Sequence, residues 1–298
     1  MTQLWGIDLG GTKIEGVVIE GGVEPAVARV RIPTEADGGY EHIVQQIERL
    51  VLLMEQETLC SRPPVIGIGT PGAVEPSTGL MKNCNTTALN GRALPRDLEE
   101  LLGVELRVAN DANCFALAEA KMGAAKGAAV VFGSIMGTGV GGGLVVRGQV
   151  LNGAQGIAGE WGHNVLDPEG DPCYCGKIGC VETVLSGPAL ERFYERQTGT
   201  RKSLPDIVAA VAEDSAARAT VDRLVSEFGR AASVLINILD PDVLVLGGGV
   251  GNVPALFEGA IEALGPWVFN DTVRTQIVLP TLGDSAGVFG AAMLAAGP

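Results

Sequence analysis

The chain has 298 residues, 46% of them hydrophobic and 19% charged. That is enough apolar material for one large or two ordinary domains, and it excludes a disordered or fibrous protein. The 35 acidic and 21 basic side chains leave a formal charge of −14, which repels phosphate backbones and anionic lipid, so neither nucleic acid nor membrane is an expected partner.

The opening QLWGIDLGGTKIEGVVIEGG is an apolar run ending at Asp8, a glycine-rich turn and a second apolar run. It predicts a β-hairpin whose turn holds more glycine than a reversal needs. Tyr40 to Leu59 has helical periodicity, PPVIGIGTPG predicts a buried strand, and PRDLEELLG predicts a short helix with Pro near its start and Gly past its end. VELRVAND is then a strand and ANCFALAEAKMGAA a helix. Gly127 to Val146 carries no charge, but seven of its twenty residues are glycine, so it predicts a second hairpin and not a membrane span. The second half supplies two helices over 203–240, a buried strand DVLVLGGG and a small-residue terminal helix SAGVFGAAMLAA. Strands alternate with helices, which predicts an α/β fold. The expected domains are 1–111 plus 285–298, and 112–284 with a loop of soft ligands at 163–180. Six unevenly spaced cysteines, and a start with no basic region ahead of an apolar core, fit a reducing cytoplasm.

Three glycine turns follow predicted strands: Asp8-Leu-Gly10-Gly11-Thr12-Lys13, Gly137-Thr138-Gly139 onward to Gly143, and Gly247-Gly248-Gly249. Backbone N–H groups at such turns can approach a phosphate, Thr12 and Lys13 add a hydroxyl and a charge, and Asp8 can hold a magnesium ion. Neither GxxxxGK[ST] nor GxGxxG ahead of a helix occurs, so nucleotide binding by another fold is the expectation. An ordinary glycine-rich hairpin is the alternative for the first turn taken alone. His163, Cys173, Cys175 and Cys180 form a Cys₃His set suited to tetrahedral zinc, closed and therefore structural. Joining His163 and Cys180 on one ion would bring Glu160 and Glu182 together as hydroxyl acceptors. At the strand–helix junction Val-Ala-Asn110-Asp111, Asp111 is either a general base with Asn110 orienting the same substrate, or a helix N-cap.

DLGGTK, GIGTPG, NDANCFALAEA, GTGVGGG, GEWGH and CxCGxxGCxE together resemble the ROK family of bacterial sugar kinases, in the actin/hexokinase superfamily. The resemblance implies a two-domain actin-like (ribonuclease H-like) ATPase fold with ATP and sugar in an interdomain cleft. It implies ATP and magnesium at Asp8, Gly10, Gly11, Thr12, Lys13, Gly137, Thr138 and Gly139, with Gly247, Gly248 and Gly249 near adenosine. It implies Asp111 as the base for the sugar 6-hydroxyl, sugar contacts from Gly72, Asn83, Asn110, Glu160, His163 and Glu182, and a homodimer. The segment 82–91, Trp161 and the CYCGKIGC spacing resemble the fructokinase/mannokinase branch, so fructose is the expected acceptor, with N-acetylglucosamine, glucose and mannose as alternatives. The family also contains transcriptional repressors with a DNA-binding helical domain ahead of the hairpin. Here the hairpin begins by residue 4, so such a regulator, like a non-catalytic sugar-binding protein, is not expected.

Overall fold

The computed structural model describes residues 3–21 and 23–297. The opening runs form β1 (Gln3–Leu9) and β2 (Lys13–Glu20), antiparallel from Gln3↔Glu20 to Leu9↔Ile14, and β3 (Val23–Pro33) pairs with β2. Helix α1 (Tyr40–Thr58) buries Ile43, Ile47, Leu50, Val51 and Met54, the spacing of one helical face. There follow β4 (Val65–Thr70), the short β5 (Ala73–Val74) and β6 (Met81–Lys82), and α2 (Leu94–Leu102). Helix α2 has Pro95 in its first turn and ends on the left-handed Gly103, as the sequence predicts. Strand β7 (Glu105–Asn110) runs directly into α3 (Asp111–Lys121).

The first sheet has the order β3-β2-β1-β4-β7, with β1–β4 and β4–β7 parallel. The register Asp8↔Gly69 and Thr70↔Asn110 brings the carboxyl ends of β1, β4 and β7 side by side, where open α/β sheets bind ligands.

The uncharged stretch forms β8 (Val130–Met136) and β9 (Val140–Val146), followed by β10 (Gln149–Val150). Helices α4 (Val181–Leu185), α5 (Gly187–Thr198), α6 (Leu204–Ala209) and α7 (Ser215–Leu239) come next. Then β11 (Val243–Gly247), α8 (Gly248–Gly251), α9 (Pro254–Leu264), β12 (Gln276–Val278) and α10 (Ala286–Ala295) end the chain. The second sheet has the order β10-β9-β8-β11-β12, with β8, β11 and β12 parallel. Among the described residues, no helix is long and apolar enough to cross a membrane.

The chain divides into two compact units: Met1–Lys126 with Gly143–Ala158 and Thr281–Pro298, and Gly127–Gly142 with Gly159–Pro280. Asp111, where the sequence suggests a change of domain, lies inside the first unit, because α3 packs against α10. The approach is close: a Cβ on Gly290 would stand 1.7 Å from the Cys114 carbonyl oxygen, and one on Gly67 would stand 1.8 Å from that of Ala291. The small-residue terminal helix therefore folds back onto β1, β4 and α3.

Glu119, fully buried on α3, accepts N–H groups from Ala124 at 2.8 Å, Thr281 at 3.2 Å and Leu282 at 3.1 Å. It ties down the segments beside Lys126 and Thr281, where the chain leaves and re-enters the first unit. Glu119→Ala removes the shared acceptor and is expected to destabilise the protein by about 2 kcal/mol in urea unfolding, with Glu119→Gln costing less because its amide oxygen still accepts.

Candidate functional site

In the first unit, Asp8 sits near the end of β1, facing the start of α10: a Cβ on Gly287 would stand 3.3 Å from its carboxylate. Burial, then the charges of Asp111 and Glu15, push its carboxyl up to about 6. Two repelling carboxylates beside a glycine turn form a site that a divalent cation would relieve. The turn itself is closed by the Gly10 N–H donating to the Lys13 carbonyl at 3.0 Å. Buried Thr34 braces it from behind, its hydroxyl donating to the Gly10 carbonyl at 2.6 Å and its N–H to the Thr12 carbonyl at 3.0 Å. Gly11, Thr12 and Lys13 are left exposed at the tip. Lys13 lies 3.8 Å from Glu15, a buried carboxylate that Arg31 also contacts at 2.8 Å and Arg29 more closely still.

The two readings of the Asn110–Asp111 junction separate here. The N-cap of α3 is Asn110, whose side-chain oxygen accepts the Asn113 N–H at 2.7 Å. Asp111 is the first helical residue. One carboxylate oxygen accepts the Ala112 N–H at 2.7 Å, and the residue is open to solvent. Surrounding protein atoms still desolvate the carboxylate and push its pKa above the ordinary range. Its charge also acts on Asp8 and on buried Cys114, so β1, β7 and α3 converge at this point. Gly72 and Asn83 come together through the β5–β6 pair: a Cβ on Gly72 would stand 2.6 Å from the Lys82 carbonyl oxygen and 2.5 Å from the Cys84 sulfur. Asn83 is exposed with φ 56°, in the left-handed region.

In the second unit, the turn between β8 and β9 is closed by the Gly137 N–H donating to the Gly139 carbonyl at 2.9 Å. Gly247 ends β11 and Gly248 opens α8 at φ 81°, where a Cβ would stand 2.3 Å from the Met136 carbonyl oxygen. Gly137, Thr138 and Gly249 border one cavity of about 580 Å³, walled by apolar side chains that include Pro188, Leu204 and Val253. A mostly apolar cleft with glycine turns at its rim suits a nucleoside with phosphates. The first glycine turn belongs to the other unit.

The four soft ligands do gather. One donor atom from each of His163, Cys173, Cys175 and Cys180 lies within 4.8 Å of the others. The Cys173 sulfur is 3.6 Å from the His163 Nδ1, and the Cys175 and Cys180 sulfurs are 3.6 Å apart. Tetrahedral zinc with Zn–S near 2.3 Å implies an edge of roughly 3.8 Å, so the set fits that ion. With Nδ1 toward the thiols, His163 Nε2 meets the exposed Tyr174 hydroxyl at 3.0 Å. Glu160 precedes the short helical turn Trp161–His163. One Glu182 carboxylate oxygen accepts the Val140 N–H at 2.9 Å, so this acid already touches the glycine turn.

Trp161, one of the residues that resemble the fructokinase/mannokinase branch, belongs to the core. It is buried, edge-on to Phe132 with centroids 6.2 Å apart, and its Nε1–H donates to the Gly141 carbonyl at 3.0 Å. Thr34, Glu119 and the apolar cavity walls carry no sequence signal, since a lone Thr or Glu resembles a surface residue and Leu204 or Val253 resembles ordinary core.

Residues 4–297 match the ROK family. An N-acetyl-D-glucosamine kinase of Vibrio atlanticus (strain LGP32) is 37% identical over 301 residues, covering 97% of this chain and 98% of that protein. A ROK hexokinase from Thermus thermophilus is 34% identical with a TM-score of 0.87, covering 99% of this chain and 98% of the other. A ROK family glucokinase from Streptomyces griseus, solved with glucose and AMPPNP, is 26% identical with a TM-score of 0.79 and full coverage of both chains.

Proposed function

The chain belongs to the ROK family, and from that premise we propose that it is a sugar kinase transferring the γ-phosphoryl group of ATP to the 6-hydroxyl of N-acetylglucosamine. The acceptor rests on the likeness of nearly the whole chain to N-acetyl-D-glucosamine kinases. A cavity of about 180 Å³ in the first unit agrees with it. Ala73, Val74 and Pro76 bring apolar residues to its lining, and Asn110, Asn113 and Asn152 bring amide-bearing ones. That pairing of surfaces matches the methyl and amide ends of an acetamido group.

The expectation of fructose is not supported. Trp161 fills the core, and Asn90 bonds the Cys84 backbone through both ends of its amide, at 2.9 and 3.1 Å. Residues that hold a loop or a core in place do not report which hexose binds.

In this reading Asp111 accepts the proton of the attacking hydroxyl and Asn110 orients the sugar while capping α3. Asp8 would hold magnesium, which offsets charge on the transferring phosphoryl group. Zinc on the Cys₃His set would be structural, fixing the loop that carries Glu160, His163 and Glu182 as sugar contacts. The test is a panel of hexoses with Mg-ATP. N-acetylglucosamine should exceed fructose, glucose and mannose in kcat/KM by at least about tenfold, or about 1.4 kcal/mol of transition-state binding. Fructose equal to or above N-acetylglucosamine would restore the fructokinase assignment.

A further inference from the structure

The stretch that starts at the last thiol ligand also grips the glycine turn at Gly137–Val140. Cys180 is the N-cap of α4, and Glu182 in the first turn of that helix accepts the Val140 N–H at 2.9 Å. A Cβ on Gly139 would stand 2.6 Å from the same oxygen, so the carboxylate lies against the turn. Five residues on, the Gly187 N–H donates to the Gly137 carbonyl at 2.8 Å. The turn is thus held at both ends by one short segment. Gly187 and Pro188, which open α5, border the cavity that Gly137 and Thr138 also border. Farther along α5, Arg192 and Arg196 reach Asp171, between His163 and Cys173, at 3.5 and 2.5 Å. The soft-ligand loop is therefore tied to the glycine turn at both ends of the α4–α5 segment.

We propose that Glu182 is a positioning residue for the nucleotide: it holds the Gly137–Val140 turn ready for phosphate, and an ion on the Cys₃His set transmits its order to that turn through α4. The proposal rests on the kinase reading, and adds a role for Glu182 separate from sugar contact. Backbone donors fixed before the ligand arrives bind it without a further ordering cost, which is the gain expected from preorganisation. The two roles differ in what they ask of the side chain. An N–H group needs only an oxygen acceptor, which glutamine keeps, whereas paired sugar hydroxyls favour the carboxylate.

The experiment is titration of the zinc-loaded protein with Mg-ADP in the absence of sugar, by calorimetry, for the wild type, Glu182→Gln and Glu182→Ala, with zinc content and thermal unfolding recorded for each. Glu182→Ala should weaken Mg-ADP binding by about tenfold with zinc retained, and Glu182→Gln should stay within about threefold of the wild type while its KM for sugar rises. Chelating zinc from the wild type should weaken Mg-ADP binding by a similar factor and add little to the alanine variant, because both act on one turn. Wild-type affinity for Mg-ADP in a zinc-loaded Glu182→Ala protein would overturn the proposal, and so would equal losses in the Gln and Ala variants. A wild type that does not bind Mg-ADP at all would instead remove the kinase reading on which it stands.

Discussion

Asp111→Asn is expected to lose phosphoryl transfer by at least about 10²-fold in kcat, the usual effect of removing a positioned proton acceptor, with sugar binding still measurable. The structure makes this substitution selective. Asn110 supplies the cap of α3, and the Asp111 carboxylate adds one bond to the Ala112 N–H, which the amide oxygen of asparagine can also accept. Thermal stability should therefore stay near the wild type. Asp111→Ala should lose similar activity and be destabilised by no more than about 1 kcal/mol, through loss of the bond to the Ala112 N–H. Single-turnover kinetics with Mg-ATP separate the chemical step from binding. Retention of most of kcat in the asparagine variant would move the search for a base to Glu160 or Glu182.

Removal of one soft ligand should have the next largest effect. Cys175 is exposed, so Cys175→Ser removes a thiolate without opening a cavity in the core. The wild type should carry about one zinc per chain by elemental analysis, and the serine variant well under that. The variant should unfold at a lower temperature and lose at least about tenfold in kcat/KM for sugar, since His163, Glu160 and Glu182 depend on the same loop. Acid should release the metal from the wild type, because protons compete for the sulfurs. Burial and its neighbouring thiols push Cys180 up to about 12 when no ion is bound, and the ion must displace that proton. Fully active protein free of zinc would contradict this role.

Much of the fold was legible because glycine-rich turns between β-branched runs leave few choices. The hairpins β1–β2 and β8–β9, helices α1 and α2 and the return of α10 follow from local pattern. The cap of α3 could not be placed from sequence, since Asn and Asp are nearly equal N-caps and stand side by side. The unit boundaries were also hidden: Gly143–Ala158 and α3 belong to the first unit through packing with residues far away in the chain. Clustering of Cys173, Cys175 and Cys180 was readable because soft ligands are scarce. The hold of Glu182 on Val140 was not, because it joins residues 42 apart in the chain. Trp161 shows the opposite error, a motif residue taken as a mark of substrate that turns out to pack on Phe132.

The most direct test of the central claim is the identity of the product. The purified protein, supplied with Mg-ATP and N-acetylglucosamine, should form ADP and one sugar phosphomonoester in equal amounts, with the phosphorus coupled to the C6 protons in ³¹P–¹H NMR. Phosphate on the anomeric carbon, ATP converted only to ADP and inorganic phosphate, or no turnover with any hexose by zinc-loaded protein would contradict it.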